Sequence, residues 1–283
     1  MNEWRINYIF KEKNKMFKNN ALEKITFGIE VEFTGMSRKK ATHVVGKALK
    51  KSVEYHAVNY YHWDIIEPQR NRIWSIKIDE SIHPEESNIK SDEVFDPWEF
   101  MCEFISPILK YDDIETVEKI VIALKNAGAI TNRSTGIHIH IGAETLNAHL
   151  ISNLVNIVAK KEDFLYKTLH IYKEREDEHC KRIDKDFLED LNRESPETIA
   201  ELKKLWYKKY NGDVNDPQHE SRFHGLNLHS LFTKGTLEFR WFNSTLEPKK
   251  IREYIHLCMA LVIQAQNQNW TNNTEYKDIL HIA

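Results

Sequence analysis

The chain has 283 residues, with 40 Lys and Arg against 43 Asp and Glu, a formal net charge of −3 and a hydrophobic share of 41%, so it can bury a sizeable core and disorder is not its default state. Near-balanced charge gives no reason to expect a nucleic acid or a membrane surface as partner, and no apolar run approaches the ~20 residues needed to span a bilayer. Cys102, Cys180 and Cys258 are odd in number and far apart with no C-x-x-C, which argues against a disulfide framework and a cysteine-based zinc site.

Residues 1–24 read as a polar, basic arm, loose or helical. The stretch MNEWRINYIFKEKNK lacks the apolar centre of a signal peptide, so a cytoplasmic protein is expected. The first strand is ITFGIEVEF, Ile25 to Phe33, where apolar residues alternate with charges. Ser37 is placed to cap a helix running to about Lys51, with Ala41, Val44, Val45 and Ala48 on its apolar side. VEYHAVNYYHWDII is rich in aromatics and ambiguous, and its Tyr60, Tyr61, His62 and Trp63 fit an acceptor pocket, core or a helix interface equally. RIWSIKI, Arg72 to Ile78, reads as a strand, IDESIHPEESNIKSDE as an acidic loop, and Asp96 to Ile105 as a strand ended by Ser106-Pro107. Asp112 or Asp113 then caps a helix that stops at Gly128.

GIHIHIG, Gly136 to Gly142, is a short strand closed by glycines, followed by a long amphipathic helix from about Thr145 to His170. Residues 173–210 are highly charged and read as an inserted helical hairpin with its loop at Asn192 to Pro196. A loop from Asn211 to Ser221, a last strand from Thr236 to Phe242 and a closing helix from Glu247 to about Gln268 complete the order. The strands alternate instead of running apolar throughout. That predicts an α+β fold in which an antiparallel or mixed sheet has helices on one face and an open, charged surface on the other. One domain is expected over 25–270, with a tail at 271–283.

In a strand, residues i and i+2 point to the same side. Glu30 and Glu32 therefore share a face opposite Ile29, Val31 and Phe33. Two adjacent carboxylates repel unless a cation or water lies between them, although a solvated edge strand presents the same pattern. His138 and His140 repeat the geometry as a ligand or phosphate site. Glu238 and Arg240 form a third instance, which an intrastrand ion pair also explains, and Glu99 with Glu103 a fourth. Clustered carboxylates with imidazoles and no thiolate suit a hard divalent cation bound to phosphates, Mg²⁺ or Mn²⁺ with ATP. The chain has no H-E-x-x-H, no G-x-x-x-x-G-K-[ST] and no G-x-G-x-x-G, so carboxylate-held metal would replace a glycine cradle.

The motifs FGIEVEF, IDESI, CEFISP, NRSTGIHIHIG, SRFHGLNL and GTLEFRWF, in that order, resemble the amidoligase family of the carboxylate–amine ligase superfamily, across about residues 25–265. Asn-x-x-x-Gly-x-His-x-His from Asn132 to His140 is similar to the histidine strand of glutamine synthetase. The resemblance implies a glutamine synthetase-like half-barrel sheet with helices on its outer face. It implies metal held by Glu30, Glu32, Glu103 and Glu238, with His138 or His140 completing the metal shell or touching the phosphate or substrate carboxylate. Arg240 would stabilise the transferring phosphoryl group, which with His140 and Glu32 makes the expected catalytic set. Arg222, Asn227 and His140 are expected at the nucleotide, and Asp79, Ser81, Asn132 and Arg133 at the substrate. The implied reaction joins a small-molecule or peptide carboxylate to an amine through an acyl phosphate. A phosphotransferase on the same scaffold, a metal-dependent hydrolase and a binding protein without turnover are the alternatives.

Overall fold

Apolar–charged alternation in FGIEVEF becomes strand β1 (Phe27–Phe33), whose Ile29, Val31 and Phe33 are buried. The computed structural model describes residues 24–49, 53–85 and 96–267. The expected N-terminal arm (but for Lys24), the C-terminal tail at 271–283 and residues 86–93 of the acidic loop lie outside the described residues.

After β1, Ser37 caps helix α1 (Arg38–Ala48) by accepting the Lys40 amide, as its sequence position predicts. The ambiguous aromatic stretch is a hairpin: β2 (Glu54–Asn59) turns through Tyr60-Tyr61 into β3 (His62–Glu67), which pairs with β4 (Arg72–Lys77). The strand expected over Asp96 to Ile105 is shorter. Asp96 accepts the Trp98 amide and Pro97 opens a one-turn helix, α2 (Pro97–Phe100), leaving only β5 (Cys102–Ile105) as strand. Glu99 is therefore on α2 and does not share the strand face of Glu103.

Helix α3 (Ile114–Asn126) ends ahead of Gly128, whose φ of +105° is the left-handed conformation expected there. Its start differs from expectation. No side chain caps it, because Asp113 instead accepts the Lys110 amide and a two-pronged contact from Arg72, each prong at 2.8 Å. Strand β6 (Gly136–Gly142) has the expected bounds, and Asn147 caps α4 (Ala148–Thr168). Residues 173–210 hold three short helices, α5 (Lys173–Glu178), α6 (Lys185–Glu194) and α7 (Ile199–Tyr207), of which α6 and α7 pack on each other. They are less solvated than a charged hairpin predicts: Phe187, Leu191, Leu202 and Trp206 join the core. The order closes with β7 (Leu226–Asn227), α8 (His229–Lys234), β8 (Thr236–Asn243) and α9 (Pro248–Asn267).

The eight strands form one sheet in the order β2-β3-β4-β5-β1-β6-β8-β7, antiparallel at every pairing. Helices α1, α3, α4 and α9 pack with one another, and α1 and α9 against strands, around buried Ile29, Val31, Ile137, Ile139, Leu237 and Phe239. The opposite face carries the charges, but over β6 and β8 it is not open as the alternation predicted. Helices α5 and α8 contact β8, and both strands are buried except at Gly142, Thr236 and Asn243 at their ends. No described helix is long and apolar enough to cross a membrane.

Candidate active site

Strand pairing assembles the site. Cross-strand partners point the same way, so Glu103 on β5 stands beside Glu32 on β1, Glu30 beside His138 on β6, and His140 beside Glu238 on β8, which in turn pairs with Asn227 on β7. Five strands meet here, and all but the neighbouring β7 and β8 are far apart in sequence. A register shift lies between Ile137 and Ile139, where they pair with Phe242 and Phe239, so β8 has one extra residue beside Arg240.

The contacts are short. His138 Nδ1 lies 3.0 Å from Glu30 Oε2, and His138 Nε2 3.5 Å from Glu32 Oε1. His140 Nε2 lies 3.2 Å from Glu30 Oε1 and 4.0 Å from Glu238 Oε1. Arg240 pairs with Glu238 Oε1 at 2.5 Å, while Asn227 donates to the other Glu238 oxygen at 2.7 Å. The Gly136 amide donates to Glu32 Oε2 at 2.6 Å. Thr236 lies within hydrogen-bond distance of His140 Nδ1 at 2.9 Å, and Ser230 in turn bonds Thr236 at 2.8 Å, which fixes the His140 ring.

Electrostatics splits the acids. Burial pushes the Glu30 carboxyl up, but the His140 charge beside it and the hydrogen bond with His138 outweigh it and hold Glu30 well below the usual range. Burial also opposes ionisation of Glu238, and Arg240 and His140 overcome it, so Glu238 is lowered as well. Burial pushes Glu103 well above the usual range, and Glu30, Asp79 and Glu32 push it further. His140 is raised: burial lowers it, and Glu30 and Glu238 more than reverse that.

Three overlapping donor sets follow, each with ligand atoms within 4.8 Å of one another: Glu30–His140–Glu238, Glu30–Glu103–His138 and Glu32–Asp79–Glu103. His138 Nε2 and His140 Nε2 are buried and make no hydrogen bond, although each lies near a carboxylate oxygen. Orphaned ring nitrogens among carboxylates, with no thiolate, fit a hard divalent cation.

The remaining predicted residues divide. Asp79 lies within the acid cluster, with a carboxylate oxygen within 4.8 Å of ligand atoms of Glu32 and Glu103. Ser81 donates its amide and hydroxyl to Asp79 Oδ1 and fixes that turn. Asn132 spends its side chain on the His83 carbonyl and on Ser134, stapling two loops together. Arg133 is exposed, paired with Glu174 and stacked on Tyr172, and is not gathered with the acids. Asn227 is bound to Glu238 and to the His229 amide. Arg222 is half-buried, with hydrogen bonds to Pro217 and Gln218; burial and the neighbouring Arg240 lower its pKa, and Glu238, Asp79 and Glu30 act against that.

Sequence reasoning missed Lys234, whose ammonium is 3.6 Å from Glu30, and Arg175. Lys234 lies two residues before β8, in the tract that leads to Glu238, and proximity to that motif was its only signal. Arg175 lies in the run KEREDE, where nothing separates it from solvated charges.

Comparison with protein families matches residues 23–262 to the family described as putative amidoligase enzymes. No curated protein and no solved structure matches the chain.

Proposed function

This chain belongs to the amidoligase enzyme family, and from that premise we propose that it is an ATP-dependent carboxylate–amine ligase working with Mg²⁺ or Mn²⁺. The observation that carries this reading is the set of overlapping carboxylate–imidazole clusters on one buried sheet face, with Arg240 held beside them by Glu238.

Glu30, Glu32, Glu103, Glu238 and His138 would hold the divalent cation. The cation, when bound, offsets repulsion between a substrate carboxylate and the triphosphate. In the first step a carboxylate oxygen of one substrate attacks the γ-phosphorus of ATP, the bond to the bridging oxygen breaks, and ADP leaves an acyl phosphate. In the second, an amine nitrogen attacks the acyl carbon, phosphate departs and the amine proton passes to a carboxylate of the face. Arg240, oriented by Glu238 and by the His179 carbonyl at 3.3 Å, is placed to balance charge on the transferring phosphoryl group. His140, fixed by Thr236 and raised toward its charged form by Glu30 and Glu238, can donate to a reactant oxygen. Arg222 and the Asn227–Glu238 pair border the nucleotide side, and Asp79 with Ser81 the carboxylate side.

The test is metal-dependent ADP release with pooled carboxylates and amines, with hydroxylamine as trap. Hydroxamate formation marks an acyl phosphate, whereas a phosphotransferase yields a stable phosphorylated product. Glu32→Gln and Glu238→Gln are each expected to lower turnover at least ~100-fold while the far-ultraviolet spectrum is kept, since each removes charge at the phosphoryl centre. Wild-type turnover in both variants would overturn the assignment.

A further inference from the structure

Burying a guanidinium is costly unless it is paired. Among the charges of α5, KEREDE, Arg175 is the buried one, at 3% exposure. Arg38, equally buried, also has an unpartnered Nε but donates to three carbonyls, those of Trp98, Met101 and Tyr60. Arg240 has Glu238. Arg175 has one hydrogen bond from its side chain, Nη2 to the Arg240 carbonyl at 3.2 Å. Its Nε has no partner, and it makes no ion pair among the described residues.

The position of that guanidinium is informative. Gly136 shares the strand parity of His138 and His140, so its missing side chain would point onto the charged face. A Cβ at 136 would lie 2.2 Å from Arg175 Nη2, 2.3 Å from Nη1 and 2.4 Å from Cζ. The Arg175 fork thus occupies the place of a residue-136 side chain, next in the column to His138. The absence of a side chain at 136 makes that seat possible. Burial and the nearby Arg240 depress Arg175, and Glu32, Cys180 and Asp79 offset this only in part.

We propose that Arg175 is an oxyanion-binding residue of this face, seated over Gly136 beside His138 to receive a phosphoryl or carboxylate group of a reactant. A planar fork of N–H donors matches either group. The inference deepens the ligase reading and rests on it only for which reactant supplies the anion.

The experiment uses the full chain with Mg²⁺ in excess and compares wild type, Arg175→Met and Arg175→Lys. Inorganic phosphate and, separately, glutarate are titrated by calorimetry, and Tm is recorded without either anion. The expected result is at least tenfold weaker binding of one anion in Arg175→Met, partial recovery in Arg175→Lys, and Mn²⁺ affinity within threefold of wild type. Loss for phosphate alone assigns the phosphoryl group, and loss for glutarate alone assigns the substrate carboxylate. Without anion, Arg175→Met should be at least as stable as wild type, because an unpaired buried cation is removed. Unchanged affinity for both anions in Arg175→Met, or wild-type protein that binds neither, overturns the proposal. If Arg175→Met does not fold, wild-type anion affinity in Arg175→Lys overturns it. Phosphate binding through Arg175 without any ATP turnover would instead overturn the ligase reading and leave this one standing.

Discussion

Glu103 and Glu32 are cross-strand partners, and Glu30 and Asp79 stand close by, yet the carboxyls do not share charge evenly. Glu30 has imidazole partners and stays ionised, whereas Glu103 has none and is pushed up by burial and by its acidic neighbours. Raised above its unfolded value, the Glu103 carboxyl adds nothing unfavourable at low pH. It costs the metal-free fold stability as pH climbs from the ordinary glutamate range through its raised folded value. Glu103→Gln should therefore raise the Tm of the metal-free protein at pH 8 by about 2 °C or more, the shift that about 1 kcal/mol gives in a chain of this size. It should also weaken Mn²⁺ binding. Where the raised Glu103 carboxyl still holds its proton, Mn²⁺ must displace it, so affinity should rise with pH, by up to about tenfold per unit, through the range in which that carboxyl titrates. Calorimetry from about pH 5 to about pH 8 reads this, and unchanged Mn²⁺ affinity in Glu103→Gln across that range would remove Glu103 from the ligand set.

At the scale of elements, the joint between β4 and α3 depends on one carboxylate. Asp113 accepts from Arg72 through both oxygens, from Arg70 and from the Lys110 amide, and so ties the sheet to the helix layer. Burial raises its pKa, but Arg72, the Lys110 amide and Arg70 outweigh that and depress it. A depressed carboxylate stabilises above its unfolded pKa and loses that contribution as pH falls through the folded value. Asp113→Asn should then cost about 1.5–3 kcal/mol at pH 7, the range for hydrogen bonds to a charged group. The gap between variant and wild type should begin to narrow below about pH 4 and close only once pH has fallen through the depressed folded value. Urea unfolding at pH 7 and in steps down to about pH 2 checks it, and a gap that stays constant across that range would mean that packing, not charge, is lost. The segment from α5 to α8 shows a second element-level effect. Its helices α5 and α8 pack against β8, and His138, His140, Glu238 and Arg240 are all less than one-tenth exposed.

For the whole molecule, a sheet that gathers Glu30, Glu32, Asp79, Glu103 and Glu238 stores like-charge repulsion that a bound cation relieves. A ligand that binds only the folded state adds about 2.7 kcal/mol at a concentration one hundred times its Kd. Mn²⁺ at that level should raise Tm by roughly 5–10 °C, with full reversal by EDTA. Scanning fluorimetry measures this. No shift with either Mn²⁺ or Mg²⁺ would leave the clusters as metal-free hydrogen-bond networks.

The sequence by itself determined which side chains share a strand face. Period-two alternation is local, so Glu30 with Glu32, His138 with His140 and Glu238 with Arg240 were legible, as were the Ser37 cap and the Gly128 stop. It did not determine which strands lie side by side. The order β5-β1-β6-β8 brings Glu103, Glu30, His138 and Glu238 together across long sequence separations, and such non-local pairing is written in no local pattern. Local signals also competed where the reading of Asp96 to Ile105 as one strand failed: the Asp96-Pro97 cap outweighed the apolar alternation in the first turn. Asp79 and Arg175 entered the acid cluster and the face by tertiary approach alone. A turn held by Ser81 carries the first, and the second reaches over a glycine from a helix whose composition reads as solvated surface. Burial turns such a charge from ordinary into consequential, and burial is a property of the folded chain.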